Sequence, residues 1–504
     1  MSLLAALTSP LPYDTPPVWE RRTGEARQLA RNVLWLGGGE VAARAVGFAI
    51  ALYLARVLDA PGYGAIGIAA ALVNVLDLVV RGGTAPRAIR EVARDPHSLP
   101  EVFAHVVGLR LVLAAVVVGA VGLVLQPLSS AFDIPASLLA LYALGLFPVA
   151  LTVVWAMRGL EAMGLVASSR ILDRLLVLAG VLLLVREGAQ DLLRVPMVEV
   201  GAAAAIALGY YIHLCRRQGG VLRIRFEVRR WRRLLGEGVP ITLSLMLRAM
   251  YVQGDILLLG WLATAESAGQ FLVSQKLVLT LGMFALVLRD ASFPAISRMV
   301  RGDPAAALRL QARLLRYVLC VLAPAVAVGW VFAVPLIAAL FGSEYDVAPR
   351  VLRIMLFTLP VVAFAGNLRN LLVAAEQPHP LPRTDALAVA VHLALGVTLI
   401  PLWGAVGAAA ACLAGECVVA VLLARVVRER LGPIPWDRRA LAPMVSAGLM
   451  AGVLATDWAG LPLRLCAGGL LYVVAAIGLG AVGRDELRDL VFQLRDATGP
   501  GRSD

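Results

Sequence analysis

The sequence predicts an all-α polytopic membrane protein: about fourteen transmembrane helices, in two six-helix lobes related by a repeat, plus two C-terminal helices. Three observations carry this reading: an apolar composition, an alternating distribution of arginine, and a pattern shared by the two halves. Of 504 residues, 60% are apolar and 16% charged, with a mean hydropathy of +0.81. A soluble domain carries about 25% charged residues, and a soluble chain of this length would divide into several domains, each needing polar surface. That excludes a soluble enzyme, a disordered chain and a fibrous protein. Fourteen spans of about 20 residues each leave roughly 220 residues for loops and tails.

Apolar windows between breakers place the spans at 32–56, 63–82, 106–127, 136–157, 164–186, 195–214, 239–261, 268–289, 317–340, 348–374, 384–402, 404–426, 440–457 and 463–482. The first contains Gly37-Gly38-Gly39-Glu40 and Arg44, and the fifth opens with Arg170, Asp173 and Arg174. Pro148, Pro324, Pro335 and Pro360 fall inside spans, where bends serve a gating bundle. Gly404, Gly407, Ala411 and Gly415 line the twelfth span with small residues that permit close helix packing.

The net charge is +12, and Lys276 is the one lysine among 46 basic residues. The arginines crowd into every second loop: 87–94, 158, 216–233, 298–316, 383 and 425–439, with further ones in both tails. The alternate loops at 57–62, 128–135, 262–267, 341–347 and 457–462 are arginine-poor. This alternation sets topology, with both termini in the cytosol and an even number of spans. It also accounts for the basic balance without nucleic acid, which needs a basic face on a soluble domain. The five cysteines form no CxxC, and with five histidines no metal or disulfide framework is expected. No cleavable signal peptide is read, and the polar, proline-bearing start reads as a cytosolic tail.

The halves match in pattern. LARVLDAPGYG at 54–64 joins spans one and two, and LGWLATAESAG at 259–269 joins spans seven and eight. Spans four and ten each hold a proline and end in a short loop with one acidic residue, Glu161 and Glu376. The expected organisation is a cytosolic tail (1–31), an N-terminal lobe (32–214), a basic linker (215–237), a C-terminal lobe (238–427), helices 13 and 14 (428–482) and a cytosolic tail (483–504). Repeats of this kind point to alternating access around a midplane site.

Residues 42–64, AARAVGFAIALYLARVLDAPGYG, resemble the first-helix signature of bacterial polysaccharide and O-antigen lipid flippases, of the multidrug, oligosaccharidyl-lipid and polysaccharide exporter superfamily. Residues 231–262, WRRLLGEGVPITLSLMLRAMYVQGDILLLGWL, resemble the start of their second lobe, and 400–416, IPLWGAVGAAAACLAGE, their eleventh-to-twelfth helix junction. The resemblance implies a flippase moving an undecaprenyl-pyrophosphate-linked oligosaccharide across a bacterial inner membrane for lipopolysaccharide or other surface polysaccharide. Its partners would be that substrate, membrane lipids, and glycan polymerase or ligase machinery, with no cofactor. It also implies that Arg44 faces a central cavity. Peptidoglycan-precursor flippases carry a second arginine six residues on, where this sequence has Ile50; that favours the polysaccharide branch over lipid II. An ion-coupled drug antiporter would suffer from the arginine-rich interior. A membrane glycan ligase or polymerase needs a larger external loop than any present.

Ionisable groups inside spans are the site candidates, because each costs about 2.5–3.5 kcal/mol facing lipid. Arg44, Arg248 and Lys276, with Arg81 and Arg369, are candidates for the pyrophosphate, whose oxygens a guanidinium matches in pairs. Snorkelling to an interface is the alternative, stronger for Arg81 and Arg369 near span ends. Glu40, Asp77 and Asp173 lie at pairing distance from arginines along the helix and read as counter-ions. Asp255 and Glu416 are candidate coupling carboxylates or, equally, fixed counter-ions. His392 reads as a packing residue. The glycines at 37 and 39 follow no strand and do not make a dinucleotide site, and GxxxxGK[ST] is absent.

Overall fold

The computed structural model describes residues 18–434 and 438–481, and among these there is no β-strand. Ten helical stretches among the described residues are long and apolar enough to cross a membrane. Each of the fourteen expected windows lies largely on helix, so fourteen crossings are consistent with the fold. The expected C-terminal tail lies outside the described residues. The expected N-terminal tail does so up to residue 17; from Val18 onward the chain is helical, earlier than the sequence suggested.

Helix α1 (Val18–Arg81) runs through the first two windows and breaks at Asp59, where φ is 58° and ψ 178°. Asp tolerates that left-handed φ better than most residues, and Pro61 just beyond lacks an amide hydrogen to continue the ladder. The amphipathic α2 (Ala85–Arg94) buries Ala88 and Val92. Next come α3 (Leu99–Leu123) and α4 (Leu125–Ala131), which share the third window. The fourth window is broken into α5 (Ala136–Leu144), α6 (Leu146–Leu151) and α7 (Val154–Gly159), the chain extending at Thr152. Helices α8 (Met163–Leu184) and α9 (Arg194–Gln218) complete the first bundle, and Gly219 at φ 67° ends α9.

The basic linker is docked against this bundle. Arg225 N–H donates to Ala104 O at 3.1 Å, and Gly108 leaves room for Arg225 O, which a Cβ would meet at 2.5 Å. The second bundle comprises α10 (Val228–Leu262), α11 (Ala265–Gly302), α12 (Pro304–Val331), α13 (Ala333–Phe341), α14 (Ala348–Leu356), α15 (Thr358–Ala374), α16 (Leu381–Trp403) and α17 (Ala405–Leu431). Side-chain oxygens of Thr264 and Asp303 cap α11 and α12. Helices α18 (Ala442–Ala455) and α19 (Leu461–Gly478) pack together, and α18 lies against α12.

The repeat read from the sequence has a structural counterpart. Glu161 and Glu376, ending corresponding segments, both adopt left-handed φ, 56° and 58°. The following amides donate back to Met157 O and Leu372 O at 2.9 Å each. This is the same helix-ending turn made twice, with Glu where glycine is usual.

The bundles meet chiefly where α1 packs on α11, and a shared apolar core that includes Leu58, Ile68, Leu259 and Phe271 fills the seam. On the arginine-poor face the contact is backbone against backbone. A Cβ on Gly64 would lie 1.7 Å from Ala265 O, and one on Gly269 would lie 2.0 Å from Ala60 O. Gly64 and Gly269 end the two repeated segments, and Ala60 and Ala265 also correspond. The contact is therefore reciprocal, as a two-fold relation between halves requires. Arg56 adds bonds from its Nε to Leu340 O, 2.7 Å, and from Nη2 to Ala339 O, while Tyr345 OH donates to Ala55 O at 2.8 Å. On the arginine-rich face Gly238 meets the Gly82-Gly83 turn, where added Cβ atoms would lie about 2 Å from backbone oxygens. Arg87 there pairs with Glu237. The bundles thus touch at both ends.

One pH dependence follows at the arginine-poor junction. The Asp59 carboxyl beside Glu344 pushes the Glu344 pKa up. A raised carboxyl pKa means the pair closes best when it holds a proton. Its contribution is complete below the ordinary carboxylate pKa and is lost as pH rises through the raised value. Spin-label distances across this junction should lengthen as the pH climbs through that window, and Glu344→Gln should remove the pH response. A response unchanged in Glu344→Gln would exclude this pair as its source.

Candidate functional site

The expected site residues fall into four groups. Nearest the start of α1, Glu40 accepts from Arg44 Nε at 2.8 Å and from Arg170 Nη1 of α8 at 2.5 Å. One carboxylate thus holds two guanidiniums, leaving net positive charge and unused N–H donors. Gly39 makes the approach possible, since a Cβ there would lie 2.8 Å from the Ala167 Cβ. The sequence grouped Arg170 with Asp173; instead Arg170 reaches across to α1, and Asp173 takes Arg174 at 3.4 Å.

In the second group Arg81 Nε bonds both Asp77 oxygens, at 2.9 and 2.7 Å, which is the counter-ion arrangement expected. Beside it is Arg110 of α3, a residue the sequence reading passed over. It is buried and donates from Nε and Nη2 to Thr84 Oγ1 at 3.1 and 3.0 Å, and from Nη1 to Thr152 O at 3.5 Å. These bonds fasten the turn after α1 to α3 and to the break between α6 and α7.

The third group crosses the seam. Lys276, on α11 of the second bundle, lies within electrostatic range of Arg174 on α8 and Glu199 on α9, both in the first. Glu199 in turn neighbours Tyr142. Asp173, paired with Arg174, belongs to the same set and is also in range of Glu199, so two cations and two carboxylates from opposite bundles lie near one another. Glu199 was not singled out, although a carboxylate within the 195–214 window met the criterion applied to Asp255.

The fourth group is buried in the second bundle. His392 Nε2 of α16 lies 2.9 Å from Asp255 Oδ1 of α10, and both side chains are almost wholly enclosed. The Tyr251 ring lies 5.3 Å from the imidazole, and Glu416 of α17 is close to both Tyr251 and His392. Gly415 is required here, because a Cβ would meet His392 Nδ1 at 2.8 Å. Arg369, which had no partner along its own helix, donates from Nη1 and Nη2 to Asp385 at 2.9 and 2.5 Å. This occupies the fork expected to be open for substrate. Arg248 is exposed on α10, two turns before Asp255. Among the described residues Arg248 makes no ion pair. Chemically, an imidazole against an enclosed carboxylate, with a half-buried second one nearby, can take up and release a proton, whereas the first group can receive an anion.

Residues 29–300 match the polysaccharide biosynthesis protein family, and residues 180–466 match the lipid II flippase MurJ family. The chain belongs to the polysaccharide biosynthesis flippases. Among curated proteins it is 23% identical to a putative O-antigen transporter of Shigella dysenteriae, over 76% of this chain and 95% of that one. It is likewise 23% identical to one of Escherichia coli strain K12, covering 80% and 97%. A probable flippase, AglR of Haloferax volcanii, is 27% identical over 45% of this chain and 48% of its own length. Among solved structures, lipid II flippase MurJ in an inward closed conformation superposes with a TM-score of 0.74 at 12% identity, covering 90% of this chain and 99% of that one. An inward-facing multidrug resistance MATE transporter gives 0.57 at 13% identity, covering 83% and 96%. The fold is thus shared with both of these solved transporters. This flippase is a multi-pass membrane transporter, not an enzyme.

Proposed function

We propose that this flippase moves an undecaprenyl-pyrophosphate-linked oligosaccharide from the cytosolic to the outer leaflet of the bacterial plasma membrane by alternating access. The arginine-rich face and both termini are then cytosolic, and the delivered glycan passes to polymerase or ligase machinery outside. The observation that carries this reading is the Glu40–Arg44–Arg170 group on α1 and α8, where one carboxylate holds two guanidiniums and leaves net positive charge with unused N–H donors. A pyrophosphate admitted between the bundles would find cations from both, and would be released when they separate. Lys276 of the second bundle, within electrostatic range of Arg174 of the first, supports it.

Depleting the protein and identifying accumulated lipids by mass spectrometry tests the substrate. Accumulation of an oligosaccharide-bearing pyrophosphoryl lipid is expected; no change in any lipid-linked glycan would refute the reading. A second reading, transport of lipid II, is favoured by the match over residues 180–466, and predicts accumulation of that precursor alone. Against it stands Ile50, which is buried and offers no second guanidinium.

Arg44→Ala should lower transport about tenfold, the worth of a charge-assisted bond or two. Arg170 still holds Glu40 and keeps α1 attached to α8. Arg44→Lys should recover part of the activity, since it keeps charge but loses the fork. Equal rates for wild type and Arg44→Ala in a vesicle transport assay would remove Arg44 from the substrate path.

For energy, we assign coupling to the enclosed Asp255–His392 pair with Glu416. An ion gradient or the membrane potential remains as the source, since the chain has no P-loop.

A further inference from the structure

On the arginine-rich face a cavity of about 280 Å³ opens between α2, α3 and the start of α10. Its charged lining is Arg87, Arg229, Arg230 and Arg233 against Glu91 and Glu227, an excess of two positive charges. Arg230 is already engaged by Glu101, and Arg87 by Glu237. Arg229 and Arg233 are exposed and make no ion pair among the described residues.

His105 also lines the cavity and is 3% exposed. Arg230 Nη1 lies 3.3 Å from His105 Nε2 in a hydrogen bond. A guanidinium can only donate, so Nε2 is the acceptor and the ring proton resides on Nδ1. His105 Nδ1 is buried and has no partner among the described residues. The Glu227 carboxylate is 3.7 Å away, on the Nε2 side. Two arginines without carboxylate partners at an open cavity, beside guanidiniums and an imidazole that also line it, are complementary to an anion with several oxygens.

We propose that this cavity is a second anion site, separate from the charges between the bundles, and that it binds a phosphate group. Free phosphate and the headgroup of an anionic lipid share that chemistry, and basic pockets at the cytosolic ends of membrane helices suit such headgroups. The walls come from both bundles: α2 and α3 from one, α10 from the other. A bound phosphate would therefore hold the Gly83–Gly238 junction together.

The test is calorimetric titration of the full-length protein in a non-ionic detergent, at fixed ionic strength. The probes are inorganic phosphate, dioctanoyl phosphatidylglycerol, and dioctanoylglycerol, which lacks phosphate. Binding by inorganic phosphate as tightly as by the lipid identifies a free-phosphate site; about tenfold tighter binding of phosphatidylglycerol identifies a lipid site. Arg229→Gln with Arg233→Gln should weaken either about tenfold without touching a buried residue. Arg216→Gln with Arg217→Gln, on the same face at the end of α9 but outside the cavity, should leave binding unchanged. Three outcomes would overturn the proposal: no phosphate probe binds, dioctanoylglycerol binds as well as phosphatidylglycerol, or the Arg216 and Arg217 pair matters as much as Arg229 and Arg233. None of them depends on the transport reading, which is scored by flipping and not by binding here.

Discussion

Gly269→Val will abolish transport while leaving the protein inserted in the membrane. The first atom of any side chain at this position would lie 2.0 Å from Ala60 O, and the obstacle is backbone, which cannot rotate away. Overpacking of this kind costs about 1–3 kcal/mol where neighbours can give, and here they cannot. Charged against the closed arginine-poor junction alone, such a cost shifts the closed-to-open ratio by about 10- to 100-fold or more. Spin-label distances across the junction should move to a longer population, and vesicle transport should disappear. Gly64→Val should behave alike, because its contact with Ala265 O is the reciprocal one. Gly47→Val, in the same helix as Gly64 but with nothing within 4 Å of the added atom, is the control and should transport normally. Normal transport by Gly269→Val would mean that the close contact is not part of the working cycle.

Asp255→Asn should cost transport about a hundredfold and flatten its pH profile over roughly pH 6 to 8. The substitution keeps the shape of the side chain but removes the charge that faces His392 at 2.9 Å. Loss of a merely structural counter-ion would lower the melting midpoint and leave the shape of the pH profile intact, so the two readouts separate the roles. Glu416→Gln should alter the profile as well, since Glu416 is close to Tyr251 and His392. If both variants transport at the wild-type rate across that range, the coupling ion is carried elsewhere.

What the sequence made legible was whatever repeats along one helix or along the whole chain. Composition alone carried the helical membrane fold, and the glycines at 64 and 269 were visible as the ends of matching segments. The Arg44–Glu40 and Arg81–Asp77 pairs were readable because four residues along a helix bring side chains onto one face. Partners from different helices were not readable. His392 lies 137 positions from Asp255, and nothing in the spacing joins α16 to α10. Arg369 was left without a partner because Asp385 belongs to the next helix, and Arg170 was given the wrong carboxylate for the same reason. Arg110 and Glu199 are a different kind of miss. Both are ionisable residues inside apolar windows, a signal the sequence itself carries. His105 carried no sequence signal, since its unpaired Nδ1 exists only because Arg230 takes the other ring nitrogen.

The central claim is that the chain moves a pyrophosphate-linked oligosaccharide lipid between leaflets. Its most direct test is a fluorescent undecaprenyl-pyrophosphoryl oligosaccharide in proteoliposomes, with a membrane-impermeant quencher reporting the fraction in the outer leaflet. Wild-type protein should render nearly all of the lipid accessible over minutes, driven by an imposed ion gradient, while Gly269→Val vesicles stay near half. An accessible fraction that never departs from that of protein-free liposomes, with folded wild-type protein present and the gradient imposed, would contradict the account.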